Sequence, residues 1–236
     1  MDLTTISYAF FGGLLPSLIW LYFLLKEDAR HHESRKLITF AFIAGMIAVP
    51  IALPLEQYAQ ANLTGSLQVF TAWALIEELL KYGFAAALIL WRPVVDEAPD
   101  YVIYMITVAL GFAAAENALF LISPILNGNI AGSIFTGDVR FLGSTLLHVF
   151  ASAVIGFSLA FSIKGKHAVR AVAAGVGLIL AIVLHTAFNT LIINSGTSST
   201  LSAFFLVWIV AVIFFAAFEV LKYFQYCNSI KNKQTV

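Results

Sequence analysis

The sequence predicts an all-α polytopic membrane bundle of about seven transmembrane helices, with the amino terminus outside and the carboxyl terminus in the cytoplasm. Three observations predict it. Hydrophobic residues make up 61% of the chain and charged residues 11%, with a mean hydropathy of +0.91, a balance foreign to soluble domains. Seven apolar runs recur, most of them about 20 residues long, the length that spans roughly 30 Å of hydrocarbon as a helix. Basic residues gather on alternate connections between those runs. The alternation of apolar and polar residues that marks an outer-membrane barrel is absent, so the spans are helices.

Each span has its own warrant. The first, 4–25, lacks a basic leading region, because Asp2 is the sole early charge, and reads as a retained helix rather than a cleaved signal. Lys26, Arg30, Arg35 and Lys36 follow it. The second, 37–55, contains Pro50 and Pro54, which are expected to kink or end it near the outer surface. The third, 69–91, ends at Arg92, and the fourth covers 101–123. Next, the segment 124–140 is rich in Gly and Asn (Asn127-Gly-Asn-Ile-Ala-Gly132) and reads as a mobile loop. The fifth span, 141–163, precedes Lys164, Lys166 and Arg170; the sixth is 171–193; the seventh, 200–221, precedes Lys222, Lys231 and Lys233. Arg140 is the one basic residue on the opposite side, so the positive-inside bias sets the orientation. The longest connections, 56–68 and 124–140 outside and 26–36 inside, leave no room for a soluble domain, and residues 1–236 read as one integral membrane domain.

Four of the spans carry polar residues at nearly one depth. The third holds Glu77, Glu78 and Lys81; the fourth Glu116 and Asn117; the fifth His148; the sixth His185 and Asn189. At about 1.5 Å rise per residue, Glu77, Glu116, His148 and His185 all fall roughly 10–12 Å below the outer boundary. An ionisable side chain in hydrocarbon costs about 2.5–3.5 kcal/mol even on lenient scales, so a layer of them implies function. Lys81 projects between the two glutamates within an arc of about 100°, placed to neutralise one carboxylate. Glu77 and Glu78 with one cation form a coupled acid–base group, and His185 and Asn189 share a face one turn apart. Singly, Asn117, Asn189 or Lys81 reads as well as packing glue between helices; together the layer does not.

The remaining polar residues have plainer readings. His31, His32 and His167 belong to charged connections, and Cys227 is a lone thiol in the tail with no partner for a disulfide. Glu56 and Glu219 stand at span ends, where snorkelling suffices. Ala85–Ala87 and Ala113–Ala115 suit close helix approach. Nothing in the charge distribution suggests nucleic acid.

The ordered set Glu77-Glu78-x-x-Lys81, Gly111-Phe112-x-x-x-Glu116-Asn117, His148 with Gly156-Phe157, and His185-x-x-x-Asn189 resembles the PrsW family of bacterial intramembrane proteases, within the wider group of CAAX and bacteriocin-processing proteases. The resemblance covers about residues 73–189, inside a catalytic core of about 69–193. Ile76 stands where an aromatic is frequent, and Asn189 where some members carry Asp. The resemblance implies a multi-pass protein of the bacterial cytoplasmic membrane. Its implied activity is cleavage of a single-span membrane protein, for example an anti-sigma factor, near the extracytoplasmic face. The expected mechanism is attack by an activated water. Glu77, assisted by Glu116, is the base, with its orientation and charge held by Glu78 and Lys81. His185 and Asn189 stabilise the oxyanion, and His148 orients water or protonates the leaving amine. No cofactor is required by this scheme, yet zinc fits the same chemistry, with His148, His185 and Glu116 as ligands from separate helices. The alternatives are a proton- or ion-coupled transporter and a non-catalytic membrane scaffold of the same fold. No inverted repeat of the transporter kind is present.

Overall fold

The computed structural model describes residues 3–27, 33–128, 143–193 and 197–234. Seven α-helices carry the described chain, and no strand occurs among the described residues. They are α1 (Leu3–Glu27), α2 (Arg35–Asn62), α3 (Ser66–Ala85), α4 (Ala98–Leu126), α5 (Thr145–Phe161), α6 (His167–Ile193) and α7 (Thr197–Gln234). A π-helical turn, Ala86–Leu90, continues α3. The all-α class and the count of seven helices are as predicted. Five helices are long and apolar enough to cross a membrane: Leu3–Lys26, Arg35–Asn62, Ala98–Leu126, His167–Leu191 and Phe205–Phe224. The other two differ for physical reasons. α3 carries Glu77, Glu78 and Lys81 inside its 20 residues, and α5 is only 17 residues long.

Several boundaries move from their predicted places. Pro50 and Pro54 lie inside α2 rather than ending it, and the helix runs on to Asn62. The connection expected at 56–68 thus shrinks to the three residues 63–65, with Leu63 N–H bonding Ala59 C=O at 3.0 Å. Proline removes one N–H but leaves the rest of the ladder intact, and residues 57–62 include the good helix formers Gln57, Ala59, Gln60 and Ala61. α4 likewise continues to Leu126, and α7 to Gln234. The mobile loop expected at 124–140 falls largely outside the described residues.

α4 is the centre of the bundle. Every residue from Pro99 to Ala114 is buried, because α1, α2 and α5 pack around it. A helix hydrophobic on all sides belongs in such a core. Its crossing with α2 is a backbone contact: a Cβ on Gly45 would stand 1.9 Å from Val108 O, and one on Gly111 1.9 Å from Phe42 O. Glycines, more than the predicted alanine runs, permit this approach, although Ala85, Ala113 and Ala114 are indeed buried. The crossing reaches Phe112 itself, lies about one turn from Glu116, and fixes the height at which α4 presents them. At the start of α4, Asp100 closes a capping box, accepting from the N–H groups of Asp96 at 3.1 Å and Glu97 at 2.9 Å.

Candidate active site

The helices α3, α4, α5 and α6 bring the predicted layer together. α3 turns Glu77, Glu78 and Lys81 inward, and all three are buried, as are His148 of α5 and His185 of α6. Glu116 of α4 keeps a side-chain exposure of 20%. Beside them is a cavity of about 340 Å³, lined by Glu77, Glu116, His148, His185 and Asn189 among mostly apolar residues such as Val49, Phe112 and Phe188.

Two adjacent glutamates have opposite environments. Glu78 faces away from the cavity and is fully hydrogen-bonded. Its Oε1 accepts from Lys81 Nζ at 2.6 Å and from His185 Nδ1 at 2.9 Å, and its Oε2 accepts from Ser152 Oγ at 3.0 Å. Three donors are what a buried carboxylate requires. Glu77 lines the cavity, and its Oε2 has no hydrogen-bond partner although it is buried. The nearest nitrogen atoms stand too far off for a hydrogen bond: His148 Nδ1 at 3.5 Å, Lys81 Nζ at 3.6 Å and His185 Nε2 at 3.9 Å.

The partners assign the imidazole tautomers. A carboxylate only accepts, so His185 carries its proton on Nδ1, toward Glu78, and offers the Nε2 lone pair toward Glu77. An ammonium only donates, so Lys81 Nζ, 3.0 Å from His148 Nδ1, leaves the His148 proton on Nε2. That proton is donated to Glu116 Oε2 at 2.8 Å. The two rings meet edge to face with centroids 5.2 Å apart, and Lys81 lies 4.6 Å over the Phe112 ring.

One donor atom from each of Glu77, His148 and His185 lies within 4.8 Å of the others. Two imidazoles and a carboxylate whose buried oxygen lacks a hydrogen bond suit a divalent cation of the zinc kind. The charge balance agrees: three carboxylates against one ammonium leave a deficit of positive charge that such an ion would fill. Glu78, bonded to His185, stands where an outer carboxylate would orient a metal-binding histidine. The sequence-derived ligand set differs in one member, because Glu116 stands beyond His148 as its hydrogen-bond acceptor, whereas Glu77 closes the group.

A family model described as PrsW family intramembrane metalloprotease matches residues 33–218. The chain belongs to the PrsW protease family. Protease PrsW of Geobacillus kaustophilus (strain HTA426) is 26% identical over 162 residues, 67% of each chain. Protease PrsW of Bacillus subtilis (strain 168) is 22% identical over 181 residues, covering 75% of this chain and 79% of its own. Protease PrsW of Shouchella clausii (strain KSM-K16) is 22% identical over 188 residues, covering 78% and 83%. No solved structure matches. PrsW membership makes this multi-pass membrane protein a peptidase.

The remaining expected residues also have places in this PrsW chain. Asn189 lines the cavity with His185, one turn away. Asn117 is directed elsewhere: its Nδ2 donates to Thr145 Oγ1 at 3.0 Å and ties α4 to α5. Sequence reasoning missed Ser152, although its i+4 spacing from His148 put it on the same face. It also placed Glu56 in the headgroup region, whereas the longer α2 carries Glu56 into the cavity wall. There Trp73 Nε1 donates to the Glu56 carbonyl at 3.2 Å.

Proposed function

We propose that this protein hydrolyses a peptide bond of a single-span membrane protein, near the extracytoplasmic face of the bacterial cytoplasmic membrane. One observation carries the reading: the unpartnered Glu77 Oε2, within reach of His148 and His185, at the wall of a cavity of about 340 Å³. The basic residues on alternate connections support an amino terminus outside and a carboxyl terminus in the cytoplasm across seven spans. In that orientation the cavity opens in the outer half of the bilayer. An anti-sigma factor is the substrate class in keeping with the family resemblance.

Glu77, His148 and His185 would hold the divalent ion, His148 through the Nδ1 lone pair that otherwise accepts from Lys81, and the ion would supply Lewis-acid polarisation to water and to the scissile carbonyl. The chain's own groups do the rest. Glu78, anchored by Lys81 and Ser152, keeps the His185 ring turned so that Nε2 faces the cavity. Glu116, held by His148 and open to the cavity, takes the proton from the attacking water and returns it to the leaving amine nitrogen. Asn189 donates its amide N–H to the carbonyl oxygen as negative charge develops there. The apolar walls, Val49, Leu53, Phe112 and Phe188 among them, exclude bulk water and receive an extended substrate segment. Helical peptide bonds are shielded by their own ladder, so the substrate must unwind before it is cut.

Mass spectrometry of the products from a single-span reporter in proteoliposomes tests the placement. The scissile bond is expected in the outer few turns of the reporter's span or in its extracytoplasmic stub. Cleavage in the cytoplasmic half would overturn the proposed orientation.

A further inference from the structure

A second cavity, of about 550 Å³, opens where the π-helical turn after α3 meets the start of α6. Arg92, His167 and Arg170 line it with Tyr82, Trp91 and Tyr101, and no carboxylate lines it. Arg170 is held in place by aromatic faces. Its guanidinium carbon lies 4.7 Å over the Trp91 ring and 5.4 Å from the Tyr101 ring, and Nη2 donates to the Tyr101 hydroxyl. A guanidinium has five N–H donors, yet the buried Nε has no acceptor, and Arg170 makes no ion pair among the described residues.

Asp100, Glu97 and Glu33 are engaged elsewhere, Glu97 by capping the start of α4. Asp100 accepts from the backbone N–H groups of Asp96 and Glu97, and Glu33 accepts from the Tyr104 hydroxyl. A pre-oriented guanidinium with free donors, flanked by a second arginine and a histidine, is complementary to a tetrahedral oxyanion with several acceptor atoms. The rest of the wall is apolar: Leu90, Val95 and Ala171. Trp91, 48% exposed at the end of the apolar stretch, matches a side chain placed at a membrane interface. Lys164 and Lys166 precede α6 on the connection that the charge bias places at the cytoplasmic face.

We propose that the cavity formed by Arg170, Arg92 and His167 binds a phosphate group, with the apolar wall receiving the glycerol and upper acyl part of an anionic phospholipid. The site is separate from the Glu77 cavity and does not depend on the reading of that site.

The test uses the full-length protein in nanodiscs of phosphatidylcholine with or without phosphatidylglycerol, followed by native mass spectrometry of retained lipid. Both lipids carry a phosphate, but the quaternary ammonium of phosphatidylcholine would stand beside Arg170 and Arg92, so the wild type is expected to retain phosphatidylglycerol over phosphatidylcholine by about tenfold. R170Q should bring that ratio near one, and R92Q, at an exposed position, should lower it several-fold. R170K should keep part of the preference. K222Q, whose lysine is paired with Glu219 at 2.5 Å and lies outside the cavity, should leave it unchanged. Inorganic phosphate added to phosphatidylcholine nanodiscs separates the sources: Arg170-dependent binding of the free ion would support a soluble phosphate ligand, and binding of phosphatidylglycerol alone would support the lipid. Equal retention of the two lipids together with no phosphate binding would overturn the proposal. So would a lipid preference that survives both R170Q and R92Q.

Discussion

Glu77 and Glu78 are neighbours in sequence, and the structure predicts that the same substitution has opposite consequences at the two positions. Glu78 accepts from Lys81, His185 and Ser152, all buried. Glu78→Gln keeps the shape but removes the charge opposite the Lys81 ammonium at 2.6 Å and turns an amide toward one of the donors. Breaking a buried ion pair from one side costs about 3–5 kcal/mol. Loss of the carboxylate that orients His185 should also weaken metal affinity by about 10–100-fold. Glu77 has no hydrogen bond on its buried Oε2, and Lys81 at 3.6 Å retains Glu78 and His148 as closer partners. Glu77→Gln should therefore change the stability of the metal-free protein by no more than about 1 kcal/mol while abolishing proteolysis. Thermal unfolding in detergent with chelator present, metal titration against a chromogenic chelator, and reporter cleavage together read all three quantities. A Glu78→Gln protein as stable and as tightly metal-binding as wild type would refute the assignment of Glu78 as the buried anchor. A Glu77→Gln protein destabilised as strongly as Glu78→Gln would show that the two carboxylates do not divide the work in this way.

Three further outcomes follow from the same geometry. Glu116→Gln should lower kcat by about 100-fold or more while leaving metal stoichiometry intact, because Glu116 contacts His148 and the cavity but stands outside the ligand group; coincident loss of metal would place it among the ligands. Ser152→Ala should reduce metal affinity about tenfold with little change in KM, read by the same titration. Gly111→Ala should destabilise the protein by at least about 1–3 kcal/mol, since its Cβ would meet Phe42 O at 1.9 Å and the helices would have to separate; unchanged thermal stability would show that the α2–α4 crossing yields freely.

The layer of ionisable residues was legible because membrane burial makes charges conspicuous and helix rise converts spacing into depth. That reasoning joined Glu77, Glu116, His148 and His185, and their side chains do converge. Depth could not distinguish Glu77 from Glu78, because which carboxylate faces the cavity depends on the rotation of α3 about its axis. The distinction rests on partners from two other helices, Ser152 and His185. Glu56 was missed through a boundary: prolines suggested that α2 ended near residue 55, but it continues to Asn62 and carries Glu56 into the wall. The Gly45–Gly111 contact was also beyond sequence reading, since a glycine in an apolar run gives no sign of which helix it will touch. Hydropathy found all seven helices, although the charges of α3 and the 17 residues of α5 keep both outside the simplest criterion for a span.

The central claim is that a divalent ion held by Glu77, His148 and His185 powers peptide hydrolysis in the membrane. It is tested most directly by purifying the protein, measuring bound metal, and assaying cleavage of a single-span reporter in liposomes before and after exhaustive chelation and metal restoration, beside Glu77→Gln. The account predicts about one divalent ion per active wild-type chain, activity that falls and returns with it, and neither bound metal nor cleavage in Glu77→Gln. Full cleavage by the stripped wild type, or by Glu77→Gln, would contradict it.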